Sequence, residues 1–282
     1  MLPVNEIICG DNVEIMRQWP VECIDLIITS PPYNLGVTTG GEFPNGNNIG
    51  KWGVQKLRNG KGSKLGTCAL ANGYNSHADA MPPDQYKKWQ QEFLLESWRL
   101  IKPTGAIFYN HKPRVQNGIL QMPTDLNPGL PIRQIIIWKR SGGVNFSTGH
   151  YLPVHEWIII FAKPDFRLKN QGASGVGDVW EITQESNNPH PAPFPLELPA
   201  RIIETTNCKI VLDPYMGSGT TAEAAVRAGI DYVGIDNSLE YCNIARRRVS
   251  NVERELRGEW RERTSTPADL AGLPLFEVRE NV

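Results

Sequence analysis

Residues 209–236 read KIVLDPYMGSGTTAEAAVRAGIDYVGID. Lys209 to Leu212 is a short apolar run, the pattern of a strand buried on both faces. Asp213 to Gly219 is a turn, and Thr220 to Ala228 is a helix stopped by Gly229. Asp231 to Ile235 is a second strand that ends at Asp236. Strand, turn, helix and strand make one βαβ unit of a parallel sheet. Gly217, Ser218, Gly219 and Thr220 open the helix, where glycines let the backbone turn sharply and free N–H groups face a ligand. A carboxylate at the end of the next strand, here Asp236, can accept from both hydroxyls of a ribose. A nucleotide site follows from that register. The glycine pattern alone also fits a dinucleotide such as NAD, or a turn with no ligand.

Around this unit the same texture recurs. Glu6 to Cys9 and Asp25 to Thr29 are two further buried strands, separated by a short amphipathic turn from Val13 to Trp19. Asp84 to Ile101 reads as a helix with Trp89, Phe93, Leu94 and Trp98 on its apolar face, and Pro103 and Gly105 stop it. Ala106 to Tyr109, Gln134 to Trp138 and Glu156 to Ala162 are three more strands. Leu196 to Thr205 and Leu239 to Leu256 are helices, the first preceded by a proline-rich crossing segment. Gly36 to Ala80 has another texture, with ten glycines, five Lys/Arg and only two acids, and no period. It is too long for an ordinary connection and reads as an inserted functional loop. Residues 1–263 therefore form one α/β domain, and 264–282 form a peripheral tail.

The chain has 282 residues, 40% hydrophobic and 21% charged, enough to bury a sizeable core. No run reaches the roughly 18 apolar residues that span a bilayer, and no leader peptide is expected, so the expected compartment is the cytoplasm. The five cysteines are scattered, with no C-x-x-C pair and no His at ligand spacing, so neither a disulfide framework nor a metal site is expected. Cys9 and Cys23, on or beside strands, read as core residues. The formal net charge of -1 excludes binding of nucleic acid by bulk charge. The distribution is uneven: residues 36–150 carry 14 basic and 6 acidic side chains, against 1 and 5 in residues 1–35 and 14 and 19 in 151–282.

Ser30-Pro31-Pro32-Tyr33 follows the Asp25 to Thr29 strand directly. The prolines fix φ and hold the turn's carbonyls rigid, so that of Pro31 can face a ligand donor. Ser30 offers a hydroxyl and Tyr33 a flat face. The set suits a planar ring bearing an exocyclic amino group, held by two acceptors and stacked on the tyrosine. Acceptors on the amine's protons stabilise positive charge that builds on its nitrogen. A plain rigid turn fits the tetrapeptide equally.

The two motifs together resemble those of the DNA amino-methyltransferases, which methylate N6 of adenine or N4 of cytosine with S-adenosylmethionine. The family tetrapeptide is Asp/Asn/Ser-Pro-Pro-Tyr/Phe, here Ser30 to Tyr33. Its cofactor motif, Asp-Pro-Phe-x-Gly-Ser-Gly-Thr-Thr, is matched by Asp213, Pro214, Tyr215, Met216, Gly217, Ser218, Gly219, Thr220 and Thr221, with Tyr for Phe. The catalytic motif precedes the cofactor motif, the order of the beta-class permutation. The resemblance spans about residues 5–250 and selects S-adenosylmethionine over NAD. It implies that Asp11 contacts the cofactor adenine and that the segment around Phe194 closes over its methionine end. Glu96 to Gly105, His155-Glu156-Trp157 and Gly177 to Trp180 resemble connecting motifs. The implied fold is a Rossmann-like, circularly permuted sheet of seven strands ordered 3-2-1-4-5-7-6, with strand 7 antiparallel.

The implied activity is a site-specific transfer of methyl to a base in double-stranded DNA, of the kind found in restriction-modification systems of bacteria, archaea or phages. The base must leave the duplex to reach such a pocket. Ser30 favours cytosine N4 over adenine N6. No catalytic cysteine is needed, because the target is an amino nitrogen. Lys51, Lys56, Arg58, Lys61, Lys64 and Arg140 are the expected phosphate contacts, with Asn45, Asn47, Asn48 and Gln55 able to read base edges. Arg246 to Arg248 reads as a solvated helix face. The alternatives are a methyltransferase of RNA or protein glutamine, against which the motif order counts, and a non-catalytic DNA-binding module. Oligomeric state stays open, a homodimer included.

Overall fold

A computed structural model describes residues 2–34, 81–116, 118–142, 148–185 and 194–258. In chain order the strands are β1 (Glu6–Cys9), β2 (Ile24–Thr29), β3 (Ile101–His111), β4 (Arg114–Gln116), β5 (Ile119–Gln121), β6 (Ile132–Lys139), β7 (His155–Ala162), β8 (Val179–Glu181), β9 (Ile210–Asp213) and β10 (Asp231–Asp236). The helices are α1 (Asn12–Met16), α2 (Pro83–Leu100), α3 (Gln171–Ser174), α4 (Glu197–Glu204), α5 (Thr220–Ala228) and α6 (Leu239–Leu256).

Residue alternation builds the layers. In β3, Ala106 and Phe108 face one side while Ile107 and Tyr109 face the other. In β7, Ile158 and Ile160 oppose Ile159 and Phe161 in the same way. Helices α4, α5 and α6 cover the first face with Leu198, Ile202, Ala222, Ala225, Ala245 and Val249. Helices α1 and α2 cover the second with Val13, Met16, Phe93 and Leu94. Burying each large apolar side chain contributes about 1.5–3 kcal/mol, and strands covered on both faces require runs such as Ile158 to Phe161.

The main sheet runs β1-β10-β9-β2-β3-β7-β6-β8. The first seven follow the expected order, and β7 is antiparallel to both β3 and β6. The count differs from the expected seven. Val179–Glu181 adds an eighth strand, parallel to β6, anchored where the Trp138 indole donates to the Ile182 carbonyl at 2.8 Å and by the buried Trp180. A two-stranded ribbon, β4 with β5, was also not expected.

Cys9 is a second departure. It ends the edge strand β1 and is exposed, while Cys23 is half-buried; Cys242 on α6 is the buried one. Among the described residues no helix is long and apolar enough to cross a membrane.

Candidate active site

The order of the strands reverses between the parallel neighbours β9 and β2, and the two motifs extend from the carboxyl ends of those two strands. Open α/β sheets bind ligands at such a point. One hydrogen bond joins the motifs there: Thr29 Oγ1 donates to Asp213 Oδ1 at 2.9 Å. Asp213 also accepts from the Tyr215 N–H at 3.1 Å and from Thr221 Oγ1 at 2.6 Å. Its carboxyl is 1% exposed, and burial raises its pKa to about 6 against the opposing pull of those donors. Asp213, expected in the cofactor motif, therefore braces the turn with three hydrogen bonds from the chain itself.

Asp236 is placed differently. Its Oδ2 accepts from the Gly217 N–H at 2.9 Å and its Oδ1 from the Ser238 N–H at 2.8 Å. A carboxylate has about four acceptor directions, so two remain for a ligand. Burial raises the pKa of Asp236 as well. Asp11 is exposed and caps α1, accepting from the Glu14 N–H at 2.9 Å. Asn12 beside it donates to the Pro214 carbonyl at 3.1 Å, drawing α1 to the turn. The Tyr215 ring lies edge-on to Trp89 and Phe93, with centroids 5.7 and 5.0 Å away.

Gly217 and Gly219 have φ of +53° and +88°. A Cβ on Gly219 would lie 2.8 Å from the Ala245 Cβ, so this glycine makes room for α6. The sequence had suggested room for a ligand. Ser218 and Thr220 are held from α6 too. Arg248 donates to Thr220 Oγ1 at 3.2 Å and Ser218 Oγ at 3.4 Å, and it pairs with the buried Glu223 and with Glu185. The expectation of a solvated face fails at Arg248, because its guanidinium fastens the turn to α6. Phe194 is 8% exposed and packs in the core under α4 and α5.

The tetrapeptide is wired to four elements, β3, β7, α2 and β4. Ser30 Oγ lies 2.9 Å from Tyr33 OH, which donates to Glu156 Oε2 at 2.9 Å. Asn110 Nδ2 reaches Tyr33 OH at 2.8 Å, Glu156 Oε2 at 3.0 Å and Ser30 Oγ at 3.3 Å. Arg140 Nη1 is 3.3 Å from Glu156 Oε1, and Arg140 Nη2 donates to the Pro153 carbonyl at 2.8 Å. The Arg140 and Glu156 side chains are 11% and 9% exposed. Arg140, expected as a phosphate contact, is here paired with Glu156 inside the site.

Behind the tetrapeptide, Tyr86 OH donates to the Pro32 carbonyl at 2.8 Å and lies 2.8 Å from His111 Nε2. The hydroxyl has one proton, so His111 must donate to it from Nε2. His111 Nδ1 then accepts from the Lys112 N–H at 2.8 Å, and the imidazole is neutral with one fixed tautomer. Burial lowers its pKa to about 3, in agreement. The Tyr33 ring rests on His111, with centroids 4.6 Å apart and planes 34° apart.

Arg114 on β4 donates to the Tyr33 carbonyl at 2.8 Å and to that of Asn34. Asn34 sits at φ +52°, a region asparagine tolerates better than most residues. Its amide donates to the Met81 carbonyl at 2.9 Å and accepts from the Met81 N–H at 2.7 Å. The two ends of the inserted loop are thus pinned together beside the tetrapeptide. Lys51, Lys56, Arg58, Lys61, Lys64, Asn45, Asn47, Asn48 and Gln55 lie outside the described residues, as do 264–282.

Sequence reasoning missed Asn110, His111 and Tyr86, and it noted Glu156 only inside a connecting motif. The signal was there: a glutamate heads an otherwise apolar buried strand, and Asn110-His111 end another. Among the described residues there is no cluster of three or more His, Cys, Asp or Glu placed to hold a metal.

An α/β sheet whose strand order reverses between a glycine turn and a Ser-Pro-Pro-Tyr turn is of the Rossmann-like, nucleotide-binding class. The profile of the DNA methylase family, the N6/N4 methyltransferases, matches residues 24–247, and the chain belongs to that family. It is 26% identical to the type II methyltransferase M.BglII of Bacillus subtilis, over 86% of this chain and 68% of that protein. It is also 26% identical to the type II methyltransferase M2.MboI of Moraxella bovis, over 90% of each. Among solved structures it resembles the cytosine-N4-specific PvuII DNA methyltransferase, with a TM-score of 0.63 at 18% identity over 89% of this chain and 92% of that one. It also resembles M1.HpyAVI in its SAM complex, with a TM-score of 0.52 at 21% identity over 86% and 98%.

Proposed function

We propose that this chain methylates the exocyclic amino nitrogen of a base in double-stranded DNA with S-adenosylmethionine as donor, cytosine N4 favoured over adenine N6. The observation that carries the reading is the Thr29–Asp213 hydrogen bond, which fixes the tetrapeptide and the nucleotide turn on one edge of the sheet. The donor set fits the cofactor. Asp236 keeps two acceptor directions for a ribose diol, and the exposed Asp11 carboxylate can accept from the adenine amino group. Bound there, S-adenosylmethionine would supply an electrophilic methyl group to the amine's lone pair, and its sulfur would keep the electron pair of the broken S–C bond.

The chain's own residues orient the amine. The Pro31 carbonyl and Ser30 Oγ accept from its two protons, while Tyr33, backed by His111, stacks on the ring. The Tyr86–His111 relay keeps the neighbouring Pro32 carbonyl turned away from the base and the turn rigid. The base reaches this pocket by turning out of the duplex. DNA is held by the basic residues of the loop between Asn34 and Met81, which leaves the fold beside the tetrapeptide. Ser30 carries the preference for cytosine N4.

Incubating the protein with duplex DNA and methyl-labelled S-adenosylmethionine, then digesting to nucleosides, tests this directly. The expected product is N4-methylcytosine. N6-methyladenine would refute the base preference, and label only in RNA or protein would refute the substrate class. Modification-sensitive sequencing of DNA from expressing cells then maps the target site.

A further inference from the structure

The hydrogen bonds around Tyr33 fix a direction that the tetrapeptide alone leaves open. A serine hydroxyl can donate or accept, and only an accepting Ser30 helps an amine whose protons must be held. A carboxylate has no proton to give, so the 2.9 Å contact between Tyr33 OH and Glu156 Oε2 uses the tyrosine's single proton. Asn110 Nδ2 donates to the same phenol oxygen at 2.8 Å. The remaining acceptor direction of Tyr33 OH takes the Ser30 proton across 2.9 Å. Ser30 Oγ is thereby turned into an acceptor, with its proton pointing inward.

We infer that Glu156, held by Arg140, is a positioning residue that sets the hydrogen-bond direction of Ser30 and Tyr33 and receives the proton released by methylation. The inference rests on the proposed function, in that the amine sits on Ser30. A methylated amine carries one proton too many. That proton passes to Ser30 Oγ, the Ser30 proton passes to the Tyr33 oxygen, and the Tyr33 proton passes to Glu156 Oε2. Each oxygen gains one proton and loses one, except Glu156, which ends as a neutral carboxyl and later releases its proton to water. Arg140 Nη1 lies 3.3 Å from Glu156 Oε1 and holds the carboxylate with its other oxygen, Oε2, toward Tyr33.

The topology makes the arrangement possible. Glu156 stands at the start of β7, and β7 is antiparallel to β3, pairing Asn110 with Ile158 and His111 with Trp157. Its first residues therefore reach the edge where β3 and β2 end. An all-parallel strand would deliver its first residues to the opposite edge.

The test compares Glu156→Gln, Glu156→Asp and the charge-neutral double variant Arg140→Gln/Glu156→Gln with the unaltered protein. The double variant removes the acid without leaving Arg140 unpaired, so it reports even where the single variant fails to fold. The first readout needs no methyl donor. Duplexes carrying the mapped site are bound with the target base in its amino form and in its keto form, uracil for cytosine or hypoxanthine for adenine. An accepting Ser30 favours the amino form, and the ratio of the two affinities falls about tenfold in the Gln variants. The second readout is turnover: kcat falls at least about tenfold while KM for DNA holds, and Glu156→Asp recovers part of kcat.

An unchanged affinity ratio and unchanged kcat in both the single and the double Gln variants would overturn the inference. Ser30→Ala separates the two levels. If it changes neither the ratio nor kcat, the amine does not sit on Ser30 and the proposed function of the tetrapeptide fails. If it lowers both while the Gln variants do not, only the role of Glu156 fails.

Discussion

Replacing Asp213 with Asn should change how stability depends on pH, and the size of the change follows from the site. Asp213 is buried, and its pKa is raised from 3.8 to about 6 by loss of solvent. The folded state thus binds its proton more tightly than the unfolded chain does. The stabilisation this proton provides is full below about pH 4 and is lost as pH rises through 6. Between pH 7 and pH 5 the group alone adds about 1.3 kcal/mol to unfolding free energy, and roughly 3 kcal/mol over the full shift. Asn cannot titrate. Thr29 and Thr221 can rotate their hydroxyls to accept from its amide, so the variant should remain folded. His111 works in the opposite direction: its pKa is lowered to about 3, so its contribution is present above 6.5 and lost as pH falls. The measurement is therefore a double difference. Urea unfolding of both proteins at pH 7 and pH 5 should show the unaltered protein gaining about 1.3 kcal/mol relative to Asp213→Asn at the lower pH. A double difference of zero, or one favouring the variant, would refute the account of Asp213 as a buried carboxyl held against its desolvation.

Three further outcomes are expected. Gly219→Ala places a Cβ 2.8 Å from the Cβ and 2.9 Å from the Cα of Ala245 at φ +88°, and should lower stability by about 2–4 kcal/mol in thermal or urea unfolding. The His111 imidazole should show no titration between pH 5 and 9 by NMR, and its nitrogen shifts should report the Nε2–H tautomer. Asp236→Ala should weaken S-adenosylmethionine binding at least about tenfold in calorimetry, whereas Tyr33→Ala should leave that affinity near its original value and sharply lower turnover.

Strands β2, β9 and β10 were legible because each is a short apolar run closed by a motif, and burial on both faces demands such runs. The eighth strand was not, because Val179–Glu181 is three residues long and alternates exposed and buried. Its place is set by Trp180 and by pairing with β6. At the site, the two motifs were legible as local spacing. Glu156, Asn110 and Arg140 were not, because their meaning depends on which strand ends meet, and only the antiparallel β7 brings them together. Arg140 shows the limit most clearly. A basic residue before a glycine-rich loop suggests a phosphate contact, and only the folded structure shows its pairing with Glu156. Gly219 shows the same limit, since its missing Cβ faces α6 and not a ligand.

The bond between Thr29 and Asp213 also sets a clock on the newly made chain. The two residues are 184 positions apart. At roughly 5–20 residues per second, a ribosome needs on the order of 10–40 s to make the second after the first. Throughout that interval β2 has one open side, the side that β9 will fill. The tetrapeptide thus leaves the ribosome well before the residue that braces it. A chain cut between the two carries the Ser-Pro-Pro-Tyr turn without Asp213 to hold it, so the assembled site waits on β9.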